Sequence, residues 1–161
     1  MLINKPRFFQ KPLSPIPPSG MERTVVLAPH QDDETLGCGG RIIQLKNSGA
    51  QVKVVYTTDG RLANNHLMDQ VEVVQIRRRE AIAACKELGV PEQDVIFLNH
   101  HDGNLPNEVE AASESLYQIF QEMEPTELII PFLRDHHPDH EATSKAARVG
   151  YTTLREARHG L

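Results

Sequence analysis

The sequence predicts an α/β domain carrying a mostly parallel sheet, and three observations lead there. Short β-branched runs alternate with segments of helical periodicity along most of the chain. A polar cluster follows each of four strand-like runs, and parallel sheets gather their ligands at the carboxyl ends of the strands. With 161 residues, the length suits one hydrophobic core.

The elements follow in order. Residues 1–22 read as a proline-rich N-terminal arm, because five of the eleven prolines fall in the first twenty residues and favour an extended stretch. The domain is expected over residues 23–161. Residues 24–28 (TVVLA) read as a strand, 39–47 as a helix and 52–57 as a second strand, which together make a βαβ unit. A long helix is expected over 69–88, with Val71, Val74, Ala81, Ile82, Cys85 and Leu88 on one stripe and Gly89 and Pro91 as its stop. Residues 95–98 form a third strand. Residues 108–123 form a helix through Val109, Ala112, Leu116, Ile119, Phe120 and Met123, 128–132 a fourth strand, and a last helix starts near Pro138 or Asp139. The fold class is therefore a Rossmann-like three-layer αβα sandwich with a mostly parallel sheet.

Composition narrows the function. A formal net charge of -5, from 22 acidic and 17 basic residues, leaves no basic field for a nucleic-acid backbone. No apolar run approaches the roughly 20 residues needed to cross a bilayer, and the N-terminus lacks the apolar core of a secretory signal, so a soluble chain without a membrane partner is expected. Two cysteines, Cys38 and Cys85, make neither a disulfide framework nor a paired-cysteine zinc site, which suits a reducing, cytoplasmic setting. Six of the eight histidines, at 30, 100, 101, 136, 137 and 140, cluster in or beside loops.

The clusters can support metal chemistry. PHQDDE after the first strand supplies His30 and Asp33 as nitrogen and oxygen ligands suited to zinc, with Asp32 as a spare carboxylate. HHPDH after the fourth strand offers His137 and His140, whose i, i+3 spacing puts both rings on one side of a first helical turn. Two histidines and one aspartate would leave a coordination position for water, the pattern of a catalytic zinc site. The alternatives are plain ones: an acidic helix cap at Asp32, Asp33 or Glu34, solvated loop histidines, or a Pro-Asp helix start at Pro138 and Asp139. GCGG at 37–40 does not match a phosphate loop and reads as room for a tight turn and close helix packing, with Cys38 as a packed thiol.

APHQDDETLGCGG and PFLRDHHPDHEAT closely resemble the two signature segments of the PIG-L/LmbE family of zinc-dependent deacetylases, which act largely on N-acetylglucosamine-type amides. TTDG, RRREAIAACKELGV and HDGNL look like further landmarks, so the likeness runs from about Val25 to Thr143. The resemblance implies that His30, Asp33 and His140 hold Zn2+ or another divalent metal, that Asp32 is the general base, and that His137 polarises the amide carbonyl. It implies that Asp139 orients a histidine from behind, and that Arg77 (or its neighbours Arg78 and Arg79) and Asp102 contact the sugar. The expected partner is an N-acetylated sugar or similar small amide, and a homo-oligomer is compatible with all of this. Two departures stand out. Gln31 replaces the usual proline of the first motif, and the chain stops at Leu161, about one helix after the second, where family domains usually continue. The reaction expected is metal-dependent N-deacetylation; a silent metal- or sugar-binding domain and a different metal-assisted hydrolase, such as a phosphoesterase, are the rival readings.

Overall fold

The computed structural model describes residues 19–63 and 68–160. Residues 1–18 of the expected arm lie outside the described residues. Eight main elements run in strict β/α alternation: β1 Arg23–Ala28, α1 Asp33–Asn47, β2 Gln51–Thr58, α2 Gln70–Glu87, β3 Val95–His100, α3 Val109–Met123, β4 Glu127–Ile129 and α4 Pro138–His159. The strands form a parallel sheet in the order β3-β2-β1-β4. β1 is paired over its whole length with β2 and, through Thr24, Val25 and Val26, with β4.

The period-two alternation of β1 and β2 builds a core on each face of the sheet. Val25, Leu27 and Val55 face α3 and α4, where they meet Leu116, Phe120 and Ala146. Val26, Ala28, Val54 and Tyr56 face the other way, onto Ile42, Leu45, Ala81 and Cys85 of α1 and α2. Strands buried on both sides read as continuous apolar runs, which is why VVLA and VKVVY are so apolar. On the first face, α4 lies so close to α3 that a Cβ at Gly150 would sit 2.8 Å from the Ser113 carbonyl oxygen and 3.2 Å from the Tyr117 backbone nitrogen.

Three elements differ from expectation. α1 begins at Asp33 rather than Gly39, running through the glycines with a kink at Cys38 (φ -150°). The buried stripe of α2 is Val73, Ala81 and Cys85; Ala81 and Cys85 lie on the expected stripe, but in the first turn Val73 faces the core and Val71 is 65% exposed. β4 pairs only as far as Ile129, and Phe132, placed in the strand by its apolar character, is 69% exposed beyond Pro131.

The chain reverses direction across the sheet between β1 and β4. β1 leads outward to β2 and β3, and the chain then returns to the opposite side of β1, so a crevice opens where the loops after β1 and β4 diverge. Both histidine motifs lie in those two loops.

Candidate active site and metal centre

The turn after β1 is tight. The carbonyl of His30 accepts from the backbone of Asp32 (3.1 Å) and Asp33 (3.3 Å), and the Asp33 carboxylate accepts from the backbone nitrogen of His30 at 2.9 Å. The chain thereby folds Asp33 back over His30. Across the crevice, His137 caps α4: its carbonyl accepts from His140 (3.1 Å) and its Nδ1 accepts the backbone N–H of Asp139 (3.3 Å). The first turn then stacks the rings of His137 and His140 on one side, 5.1 Å apart, and brings them 4.6 and 5.4 Å from His30.

Proton positions separate the three imidazoles, because a carboxylate can only accept. His30 donates from Nε2 to Asp102 Oδ1 (3.2 Å) and to Asp139 Oδ2 (3.3 Å), so Nδ1 is the nitrogen that would be given to a metal. His140 donates from Nδ1 to Asp135 Oδ2 (3.2 Å), so Nε2 is the nitrogen that would be given to a metal. Both remaining ring nitrogens approach Asp33 Oδ2, at 3.4 Å for His30 Nδ1 and 3.3 Å for His140 Nε2. Ligand atoms about 2.0–2.1 Å from a tetrahedral zinc lie about 3.3–3.4 Å from one another, so each histidine stands at that edge length from Asp33, although His30, Asp33 and His140 are not among the triples whose ligating atoms all lie within 4.8 Å of one another. His137 differs. Its Nδ1 is occupied as an acceptor, so the neutral ring carries its proton on Nε2 and presents a donor.

Among the described residues, two triples bring one metal-ligating atom each within 4.8 Å of one another: His30, His137 and His140, and His30, Asp102 and Asp139. Hydrogen bonding argues against reading either as the full ligand set. His137 offers a donor rather than a lone pair, and Asp139 Oδ2 already accepts from the backbone of Gly103 at 2.8 Å while it supports His30.

The acids dominate the electrostatics. Burial resists charging His30, yet hydrogen bonds to Asp102, Asp139 and Asp33 outweigh it and lift the imidazole to about 11. Burial pushes the carboxyls of Asp33, Asp102 and Asp139 upward, and the facing His30 more than reverses this, holding all three below the usual carboxylate range. The cluster therefore demands a cation at its centre, supplied by imidazolium or by a metal.

The site opens on two sides. His30, Asp32, Arg77, Asp102 and His137 line a cleft of about 550 Å3, completed by Gly60 and Leu62. Asp33 and His140 also border a more apolar cleft of about 430 Å3, walled by Leu36, Cys38, Ile129 and Phe132. All eight residues singled out from the sequence thus converge at one end of the sheet. Arg77, rather than Arg78 or Arg79, points inward, since it shares the i, i+4 ladder of Val73, Ala81 and Cys85. Arg78 instead lies over the Phe97 ring at 4.2 Å.

Sequence reasoning missed Asp135 and the anchoring contact of Gln31. Asp135 caps the turn before α4 through the His137 backbone (3.0 Å) and orients His140; a carboxylate two residues ahead of HPDH was the available signal. Gln31 is buried. Its side-chain amide donates to the Thr58 carbonyl at 3.0 Å, tying the turn after β1 to the end of β2.

Comparison with known proteins agrees with this architecture. The probable N-acetyl-alpha-D-glucosaminyl L-malate deacetylase 2 of Bacillus cereus is 34% identical over 134 residues, 78% of this chain and 60% of that protein. The N,N'-diacetylchitobiose deacetylase of Pyrococcus horikoshii superposes with a TM-score of 0.71 at 28% identity, over 80% of this chain and 49% of that one. The hydratase GalB of Pseudomonas putida, at 22% identity and a TM-score of 0.69 over 82% of this chain and 56% of that one, shares the fold alone. The chain spans about 60% of the length of its Bacillus cereus relative and about half that of the chitobiose deacetylase. The family model described as GlcNAc-PI de-N-acetylase matches residues 25–150, and the chain belongs to the PIG-L family.

Proposed function

We propose that this protein is a zinc-dependent N-deacetylase of an amino-sugar-containing small molecule. The observation that carries the proposal is the approach of His30 Nδ1 and His140 Nε2 to one oxygen of Asp33, beside a cleft lined by Asp32 and His137. The relatives named above act, by their names, on N-acetylglucosaminyl malate and on diacetylchitobiose, which supports an acetylated amino sugar as the substrate class. The free thiols Cys38 and Cys85 support a cytoplasmic setting.

His30 Nδ1, Asp33 Oδ2 and His140 Nε2 would hold the zinc. When bound, the ion lowers the pKa of water and polarises a carbonyl. The chain's own residues supply the rest. Asp32, exposed in the cleft, accepts the proton lost as water attacks the acetyl carbon. His137 donates its Nε2 proton toward the carbonyl oxygen as negative charge gathers there, a contribution of about 3–4 kcal/mol in comparable oxyanion sites. Asp32, now protonated, then returns a proton to the departing amine. Asp139, Asp102 and Asp135 hold His30 Nε2 and His140 Nδ1, so that the other ring nitrogen of each would be left for the metal. Each oxygen of Asp102 keeps a second lone pair for a sugar hydroxyl while it holds His30 and the Leu62 backbone.

The test pairs elemental analysis with acetate release from a panel of N-acetylglucosamine conjugates. One zinc per chain is expected, with release abolished by chelation. Asp32→Asn should keep the metal and lose turnover by several orders of magnitude, whereas His140→Ala should lose the metal. A zinc-loaded protein that binds these sugars and releases no acetate would show a binding domain instead, and release of phosphate from phosphate esters would show a different hydrolase.

A further inference from the structure

The guanidinium of Arg77 is used inside the protein. Its Nη2 donates to the Gln31 carbonyl at 2.6 Å and to Asp32 Oδ2 at 3.1 Å, and its Nη1 donates to Glu80 at 3.1 Å. Asp32 has no capping bond to the helix that follows it, and among the described residues Arg77 is the hydrogen-bond partner of its carboxylate. The Asp32 side chain is 52% exposed, so packing alone holds it weakly in one rotamer. Arg77, in contrast, rises from a rigid base. It lies one helical turn from Val73 on one side and Ala81 on the other, both buried against the sheet. The backbone it grips is anchored as well, because the Gln31 side chain is sealed beneath Gly60 and bonded to Thr58.

We infer that Arg77 is a positioning residue: it clamps the backbone of Gln31 and one oxygen of Asp32 together, leaving the other carboxylate oxygen turned to the cleft. This rests on Asp32 being the base of the proposed reaction, and it replaces sugar contact as the main role of Arg77. A planar guanidinium suits the task, since one nitrogen carries two hydrogens fixed in direction and can span two acceptors that a lysine ammonium on a flexible stem would not hold in register. Proton transfer depends steeply on geometry, and a misplacement of about 1 Å can cost about 100-fold in rate.

The experiment uses the full chain loaded with zinc and diacetylchitobiose as the probe substrate. Arg77→Gln should lower kcat by about 10- to 100-fold while KM stays within about threefold and the zinc content is unchanged. Arg77→Lys, which keeps the charge, should show the same split with a smaller loss, and it decides the matter should the glutamine variant not fold. In an Asp32→Asn background, Arg77→Gln should change the residual rate by less than about twofold, because both substitutions act through one group. Crystal structures of the parent and Arg77→Gln give a readout independent of turnover: the Asp32 carboxylate should leave its parent rotamer in the variant. A KM raised tenfold at unchanged kcat, additive losses in the double variant, or an Asp32 side chain that keeps its place without Arg77 would each overturn the inference. A parent that binds zinc yet releases no acetate refutes the deacetylase reading, and the crystallographic comparison still decides the clamp.

Discussion

Replacing Asp139 with asparagine tests the support of the site with almost no change in volume. The Asp139 side chain is fully buried, and its oxygens accept three donors: Gly103 N (2.8 Å) and His30 Nε2 (3.3 Å) on Oδ2, and Leu105 N (3.2 Å) on Oδ1. Asparagine has one acceptor oxygen. Its better orientation keeps that oxygen on Gly103 and His30 and turns the amide hydrogens onto the Leu105 N–H, leaving a buried donor unsatisfied at a cost of about 1–3 kcal/mol. The charge-assisted bond to His30 falls to a neutral one, a further loss of about 1 kcal/mol. Metal-free Asp139→Asn should therefore unfold in urea with a stability about 2–4 kcal/mol below the parent at pH 7 and an unchanged m-value. Because Asp139 also sets the tautomer of His30, zinc affinity measured by competition with a chelating indicator should fall about 10- to 100-fold. A variant within about 0.5 kcal/mol of the parent that binds zinc equally well would refute the reasoning, since it would mean that neither the backbone donors nor His30 depends on the carboxylate.

Three further outcomes are expected. Asp135→Asn should weaken zinc binding by no more than about tenfold, less than Asp139→Asn, because the Asp135 side chain is 35% exposed and water can replace its bond to His140; the same competition titration reads it. Gly150→Ala should lower the melting temperature, as the clash of a new Cβ with two backbone atoms of α3 costs about 1–3 kcal/mol and exceeds the gain of about 1 kcal/mol in helix propensity. Burial lifts the thiols of Cys38 and Cys85 from 9.0 to about 11, so both should resist a thiolate-selective reagent at pH 9 in the folded protein and react in urea. The folded state keeps these protons to higher pH than the unfolded chain does, so their contribution to stability is complete below about pH 9 and is lost as the pH rises to about 11.

Much of the architecture was legible because each level of the sequence agrees with the next. β-branched runs between helical stripes imply parallel strands, and the acids and imidazoles fall where such sheets bind ligands. The misses share a cause, which is tertiary packing overriding a local signal. The glycines of GCGG look like a tight turn ahead of the helix, but α1 runs through them from Asp33, with Gly39 buried in ordinary contact with Leu88. The first turn of α2 was misread because a charged residue, Arg77, occupies one rung of the ladder that joins Val73 to Ala81 and Cys85, and the apolar Val71 and Val74 drew the stripe elsewhere. In the site, the two motifs and their ring geometry could be anticipated. Which carboxylate backs each ring could not, since it depends on the fold bringing Asp102, Asp135 and Asp139 to specific ring nitrogens.

The position of β1 at the centre of the sheet bears on how the protein is born. β1 is made early, but one of its two edges waits for β4, about a hundred residues later; the Thr24 hydroxyl bonds to Glu127 across 103 positions. During synthesis that edge and the apolar face beneath α3 and α4 stay open until the second histidine motif has left the ribosome, the interval in which aggregation competes with folding. Metal capture by both loops must then come after the longest-range pairing in the sheet, so ion uptake by a refolding chain should track the docking of β4 and lag the formation of the β1–β2–β3 unit.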